Sequence, residues 1–204
     1  DAVRAIGDWE PSPRYNIAPT QMNPIVRLNP EGKRELLPLR WGLIPSWAKD
    51  AKIGSSLINA RADGVATKPS FRSAFKRRRC LVPADGFYEW KKLSAKEKQP
   101  YHIHLRGGKP FAFAGLWEHW TGSNGTALDS YTIITTAANE MMQSLHDRMP
   151  VILKPDHYEA WLTDLERAPG LLQQYPGDQM EAVEVDKLVG NVKNDVPECV
   201  EPNQ

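Results

Sequence analysis

Short runs rich in β-branched and aromatic residues, cut by glycine and proline before they reach helical length, set what this chain can fold into. Residues 24–28 and 35–43 read as strands, as do 80–82, 86–91, 101–105, 111–117, 130–136, 151–153 and 180–185. Gly107-Gly108 predicts a hairpin between the strands at 101–105 and 111–117. Helical signals are fewer. They comprise residues 68–75 with Pro69 in the first turn, a short helix capped by Asn139 running toward His146, and a helix opened by Pro155 through about Leu165. Strands outnumber helices, and hairpins outnumber βαβ alternation. The expectation is therefore an α+β fold, a single domain over residues 1–204, with a strongly curved, mainly antiparallel, barrel-like sheet and a few flanking helices.

Length and composition narrow the function classes. At 204 residues and 41% hydrophobic, the chain can bury one sizeable core. No apolar run approaches the ~20 residues of a membrane-spanning helix, and no signal-peptide pattern opens the chain. A soluble, cytoplasmic protein without a membrane partner is expected. Two cysteines, Cys80 and Cys199, suit a reducing compartment and make no metal set with a nearby His. No metal or cofactor is expected, and Cys80 reads as a buried small hydrophobe. The net charge of +1 hides an asymmetry. Residues 1–110 carry 21 of the 26 Lys and Arg against 10 of the 25 Asp and Glu, an excess of +11, and the remainder nets −10. Either one surface faces a polyanion, or the halves fold together and neutralise each other.

Two segments carry usable chemistry. Ala84-Asp85-Gly86-Phe87-Tyr88-Glu89-Trp90 places a carboxylate among aromatics, and period-2 alternation puts Phe87 and Glu89 on one face. Burial against apolar walls raises a carboxyl pKa and lets it move protons near neutral pH. His146-Asp147-Arg148-Met149-Pro150 adds an imidazole and a guanidinium. Neither segment contains a nucleophile. Asn59 and Arg61, two apart on a strand, share a face that suits a phosphate or a flipped-out sugar. Trp47, with Pro45, is either a stacking platform for unpaired bases or a core side chain. Each residue also has an ordinary reading: Glu89 as a surface carboxylate, His146 as a hydrogen-bonded structural histidine, Asn16 as turn geometry in a proline-bounded loop. The basic run Lys76-Arg77-Arg78-Arg79 reads most simply as a solvated face.

Order along the chain adds what the pieces lack. Arg14-Tyr15-Asn16-Ile17-Ala18-Pro19, Trp41-Gly42-Leu43-Ile44-Pro45, Ile58-Asn59-Ala60-Arg61, Pro83 through Trp90, His146 through Pro150 and Val189-Gly190-Asn191-Val192 follow one another. The set closely resembles the SRAP family (SOS-response-associated peptidases, the abasic-site-processing proteins). The resemblance implies a monomer that binds abasic sites in single-stranded DNA and crosslinks to them through an N-terminal Cys, closing a thiazolidine ring. It further implies that Glu89 moves protons, His146 assists sugar-ring opening, Asn16 orients the N-terminal amine, Asn59, Arg61 and Arg148 contact the DNA, and Pro19 and Trp47 splay neighbouring bases. A nucleoid-associated location is implied if the source is bacterial. The sequence begins at Asp1 without such a Cys, so the segment bearing the nucleophile is expected to be missing. A thiol peptidase limited to its own terminus and a non-covalent single-strand binder are the alternatives.

Overall fold

In the computed structural model, which describes residues 12–203, the first half of the chain supplies strands β1 (Met22–Leu28), β2 (Arg34–Trp41), β3 (Asn59–Arg61), β4 (Arg79–Ala84), β5 (Gly86–Lys92) and β6 (Lys98–Leu105). The second half supplies β7 (Phe111–Thr121), β8 (Ala127–Ala137), β9 (Arg148–Pro150), β10 (Ile152–Leu153) and β11 (Met180–Glu184). Helices are short: α1 (Arg72–Arg77), α2 (Glu140–Gln143) and α3 (Tyr158–Thr163). Strands β7, β4, β1, β2 and β8 pair in that order, and β8 pairs back to β7, closing a five-strand barrel. The fold is thus α+β with a closed, mainly antiparallel barrel. Parallel pairing occurs at β2–β8 and β3–β8.

Alternation along the barrel strands feeds two cores. Ile25, Cys80, Val82, Phe113 and Ile133 belong to one, which also takes Ile103, Leu105 and Met180 from a separate three-stranded sheet, β11–β6–β5. Val26, Leu81, Ala114, Leu116 and Ile134 belong to the other, covered by Phe71 and Phe75 near α1 and by Tyr158, Trp161 and Leu162 of α3. Gly115 sits where β7 pairs with β4 opposite Cys80. A Cβ there would lie 2.8 Å from Cys80 Sγ and from Val82 Cγ2, so only glycine permits this approach.

Several sequence expectations are corrected. Gly107-Gly108 does not join a hairpin: β6 pairs with β5 and β11, whereas β7 pairs with β4, β8 and β10, so these glycines carry the chain between two sheets. Both have positive φ, a conformation glycine adopts without steric cost. The helix expected over 68–75 begins only at Arg72, after a series of turns. The Asn139 cap is present, its side chain accepting from Met142 N, yet α2 ends at Gln143. Pro155 opens a 3-10 turn before α3, which ends at Thr163.

The basic run is a solvated face only in its first half. Lys76 and Arg77 are exposed, but Arg78 pairs with Glu118 at 2.6 Å. Arg79 is only 6% exposed and donates to the carbonyls of Phe75, Lys76, Trp161 and Leu162. The charge halves interleave as well. Arg27 pairs with Asp129 and Arg34 with Glu159, so part of the asymmetry cancels across the barrel. Both cysteines are buried free thiols. Among the described residues no helix is long and apolar enough to cross a membrane.

Candidate active site

Strand β8 organises the site. Parallel β3 lies on one side and antiparallel β9 on the other, so Arg61, Thr135 and Pro150 share one row across three strands. Asn59 and Arg61 project from β3 on the same face, flanking buried Ala60. Arg148 starts β9 and donates from Nη2 to Thr135 O at 2.7 Å. His146 stands in the turn just before it, its backbone N–H closing on Met142 O at the end of α2. From the second sheet, β5 brings Glu89 on the same face as Phe87, whose ring meets Phe113 of β7 edge-on at 5.8 Å. Tyr88 points the other way, and its hydroxyl donates to Tyr15 O and Cys199 O.

These elements enclose an open cavity of about 220 Å3, lined by Asn59, Arg61, Glu89, Thr135, His146 and Arg148, with Asp147, Met149 and Pro150 completing the wall. Burial pushes the Glu89 carboxyl above its ordinary value; the positive potential of His146 and a hydrogen bond from Trp90 N oppose this, and Asp147 reinforces it. His146 Nδ1 lies 3.0 Å from Arg148 N, 3.2 Å from Arg148 O and 3.1 Å from Asp147 Oδ1, contacts that hold the ring in place through this nitrogen in either tautomer. Asp63 lies beside both guanidiniums, 3.5 Å from Arg61 Nε and 3.9 Å from Arg148 Nη2. The cavity thus combines a carboxyl of raised pKa, an imidazole, a hydroxyl and two guanidiniums. Among the described residues it holds no thiol.

Five of the residues singled out in the sequence, Asn59, Arg61, Glu89, His146 and Arg148, meet in this cavity. Asn16, Pro19 and Trp47 do not line it. Asn16 is 5% exposed, and its Nδ2 donates to the carbonyls of Val189, Asn191 and Asn194. Its backbone N–H and that of Tyr15 donate to Asp195 Oδ1, while Arg14 Nε pairs with the same carboxylate. The segment Val189-Gly190-Asn191-Val192 is therefore the anchor of the Asn16 loop. Pro19 is exposed, and Trp47 is 59% exposed on the turn closed by Ala48 N to Pro45 O. Thr135 and Asp63 escaped the sequence reading, and Asp147 stood in the quoted His146–Pro150 segment without a role. Thr135 had a signal only in the β-branched alternation of its strand; Asp63 had none. The expected nucleophilic Cys is not among residues 1–204, whose two cysteines are Cys80 and Cys199.

A closed barrel thus backs a cavity whose carboxyl and imidazole are groups able to move a proton and whose flanking guanidiniums are groups able to hold a phosphate. The chain belongs to the SOS response associated peptidase (SRAP) family, whose sequence profile matches residues 3–192. It is 49% identical over 199 residues to the abasic site processing protein YoqW of Bacillus subtilis, spanning 96% of this chain and 88% of that one. It is 34% identical over 221 residues to the abasic site processing protein HMCES of Xenopus tropicalis, spanning 92% of this chain and 65% of the relative. A crystal structure of a Bacteroides thetaiotaomicron protein, 29% identical, superposes with a TM-score of 0.82 over 91% of this chain and 82% of that one.

Proposed function

We propose that the protein binds single-stranded DNA at abasic sites and, with a Cys at its amino terminus, crosslinks to the lesion as a thiazolidine. The observation that carries this reading is the cavity in which half-buried Glu89 shares space with His146, Arg61 and Arg148. Its volume of about 220 Å3 falls below the roughly 300–1,000 Å3 of clefts for drug-sized ligands. That size suits one sugar-phosphate unit lacking its base.

An abasic sugar opens to an aldehyde at C1′. The α-amine of a terminal Cys attacks that carbon, and loss of one water gives a Schiff base. The thiol then adds its sulfur to the imine carbon and its proton to nitrogen, closing a five-membered ring. An α-amine titrating near ~8 keeps a usable neutral fraction at pH 7. Glu89, its pKa raised by burial, gives a proton to the departing hydroxyl and afterwards relieves the nitrogen or thiol of one. His146 assists ring opening. Arg61, Arg148 and Asn59 hold the phosphates around the lesion. Asn16 acts at one remove, fastening the chain that leads to the amino terminus. Exposed Pro19 and Trp47 splay or stack the neighbouring bases.

A second reading, non-covalent recognition of single strands, has its own support. Both described thiols are buried, and burial raises the Cys80 pKa, so neither supplies a nucleophile. A peptidase acting on its own terminus needs the same terminal Cys. The deciding experiment mixes single-stranded DNA bearing one abasic site with two forms of the protein, one headed by Cys and one starting at Asp1, on a denaturing gel. A shifted band with the first form alone is expected. A band with both forms points to an internal nucleophile, and a band with neither leaves the binding module as the function.

A further inference from the structure

The strand β3 that brings Arg61 into the cavity continues through a tight turn, Gly64 N donating to Arg61 O, into a stretch that carries cations on one side. Lys68 folds its aliphatic stem over that turn; a Cβ on Gly64 would lie 3.1 Å from Lys68 Cε. Arg72 N donates to Lys68 O, and α1 then runs Arg72–Arg77 with Ala74 and Phe75 buried. Lys68, Arg72 and Lys76 are all exposed, and among the described residues none of them enters an ion pair. Arg72 and Lys76 lie four apart on α1 and share its face with ~6 Å of rise between them, and the Arg72 N–Lys68 O bond sets Lys68 about one turn before the helix.

We infer that Lys68, Arg72 and Lys76 form a track for the phosphates of the single strand flanking the lesion, continuous with Arg61 at the cavity. This rests on the reading that the cavity takes an abasic site on single-stranded DNA. The arguments for that occupant are charge complementarity with a polyanion and the short hydrogen-bonded run of chain from Arg61, in the cavity wall, through the Gly64 turn to Lys68 and Arg72. Arg78 and Arg79, the more conspicuous members of the basic run, are withdrawn from the track by Glu118 and by backbone carbonyls. The track is therefore set by which cations stay exposed and free of ion pairs among the described residues, and not by the density of charge in the sequence.

The test is binding of the full chain to two abasic-site oligonucleotides, over a range of salt, by wild type and by Lys68→Gln/Arg72→Gln/Lys76→Gln. One oligonucleotide spans only the lesion and its immediate neighbours; the other extends well beyond on both sides. Each phosphate neutralised on a single strand contributes a salt slope of ~0.7, so three lost contacts lower the slope by ~2. Across a fourfold rise in salt, the variant then loses roughly 15–20-fold less affinity for the long strand than wild type does. The gain in affinity that wild type shows on passing from short to long strand should also vanish. A charge-keeping variant, Lys68→Arg/Arg72→Lys/Lys76→Arg, should retain both the slope and the gain, which separates loss of charge from loss of fold. If wild type gains with length and the Gln variant gains equally, the track is wrong while the cavity reading stands. If wild type binds neither strand, both fall.

Discussion

A carboxyl group placed half-buried beside a second carboxylate loses solvation in its charged form, and Glu89 is held above its ordinary value for that reason, with His146 only partly offsetting it. Folding therefore keeps a proton on Glu89 at pH values where the unfolded chain has released it. Stability tied to that proton is present at low pH and is lost as the pH rises through the raised folded value. Glu89→Gln removes the charge and keeps the shape. At pH 7–8 the variant should be more stable by roughly 0.5–2 kcal/mol, the range common for relieving strained functional positions. In urea titrations that difference should shrink toward acid pH; a difference independent of pH would argue against burial as the cause. The same variant should crosslink about 100-fold more slowly, since a positioned proton shuttle supplies 10²–10⁴-fold. Equal rates would remove Glu89 from the chemistry.

Arg79 ties three elements together. From the start of β4 it donates to carbonyls at the end of α1 and in α3, and its guanidinium lies 5.9 Å from the Trp161 ring centroid. Arg79→Leu strands several buried carbonyls at once and should cost about 3 kcal/mol or more. Arg79→Lys should recover only part of that, because an ammonium cannot reproduce the planar fork. Urea unfolding of the two variants checks both statements. The sequence shows four consecutive cations and cannot show the carbonyls waiting for one of them. Local patterning was sufficient where a single strand decides: alternation in residues 86–92 puts Phe87 and Glu89 on one face, as the β5–β6 register has them. It failed where partners decide. A Gly-Gly pair has the same composition whether it closes a hairpin or leads from one sheet to another, so the destination of β7 was illegible. Thr135 and Asp63 join the site through the β3–β8–β9 pairing and through proximity to Arg148, relations between residues far apart in the chain. Asn59, Arg61, Glu89, His146 and Arg148 were legible through ordered motifs, but their convergence was not.

At the scale of the whole molecule, the barrel closes only by mixing halves: β7 and β8 complete a ring begun by β1, β2 and β4. Fragments 1–110 and 111–204 should each lack near-ultraviolet circular dichroism when alone, since neither holds a closed core, and should regain it on mixing. Their opposite charges, +11 and −10 by sequence, should speed that reassociation and make it slow with added salt. A fragment that folds by itself would show the ring to be dispensable. The same long-range logic governs the ends. Arg14, Tyr15 and Asn16 are fastened to Asp195, at separations of 179–181 residues, and Asn16 also to carbonyls at 189–194. A ribosome makes the fastened part first and the fastener last. Throughout synthesis the leading end has nothing to hold it in register, and a message cut short before Asp195 yields a chain whose head is never set. Synthesis of Asp195 is thus the event that lets residues 14–16 take their place.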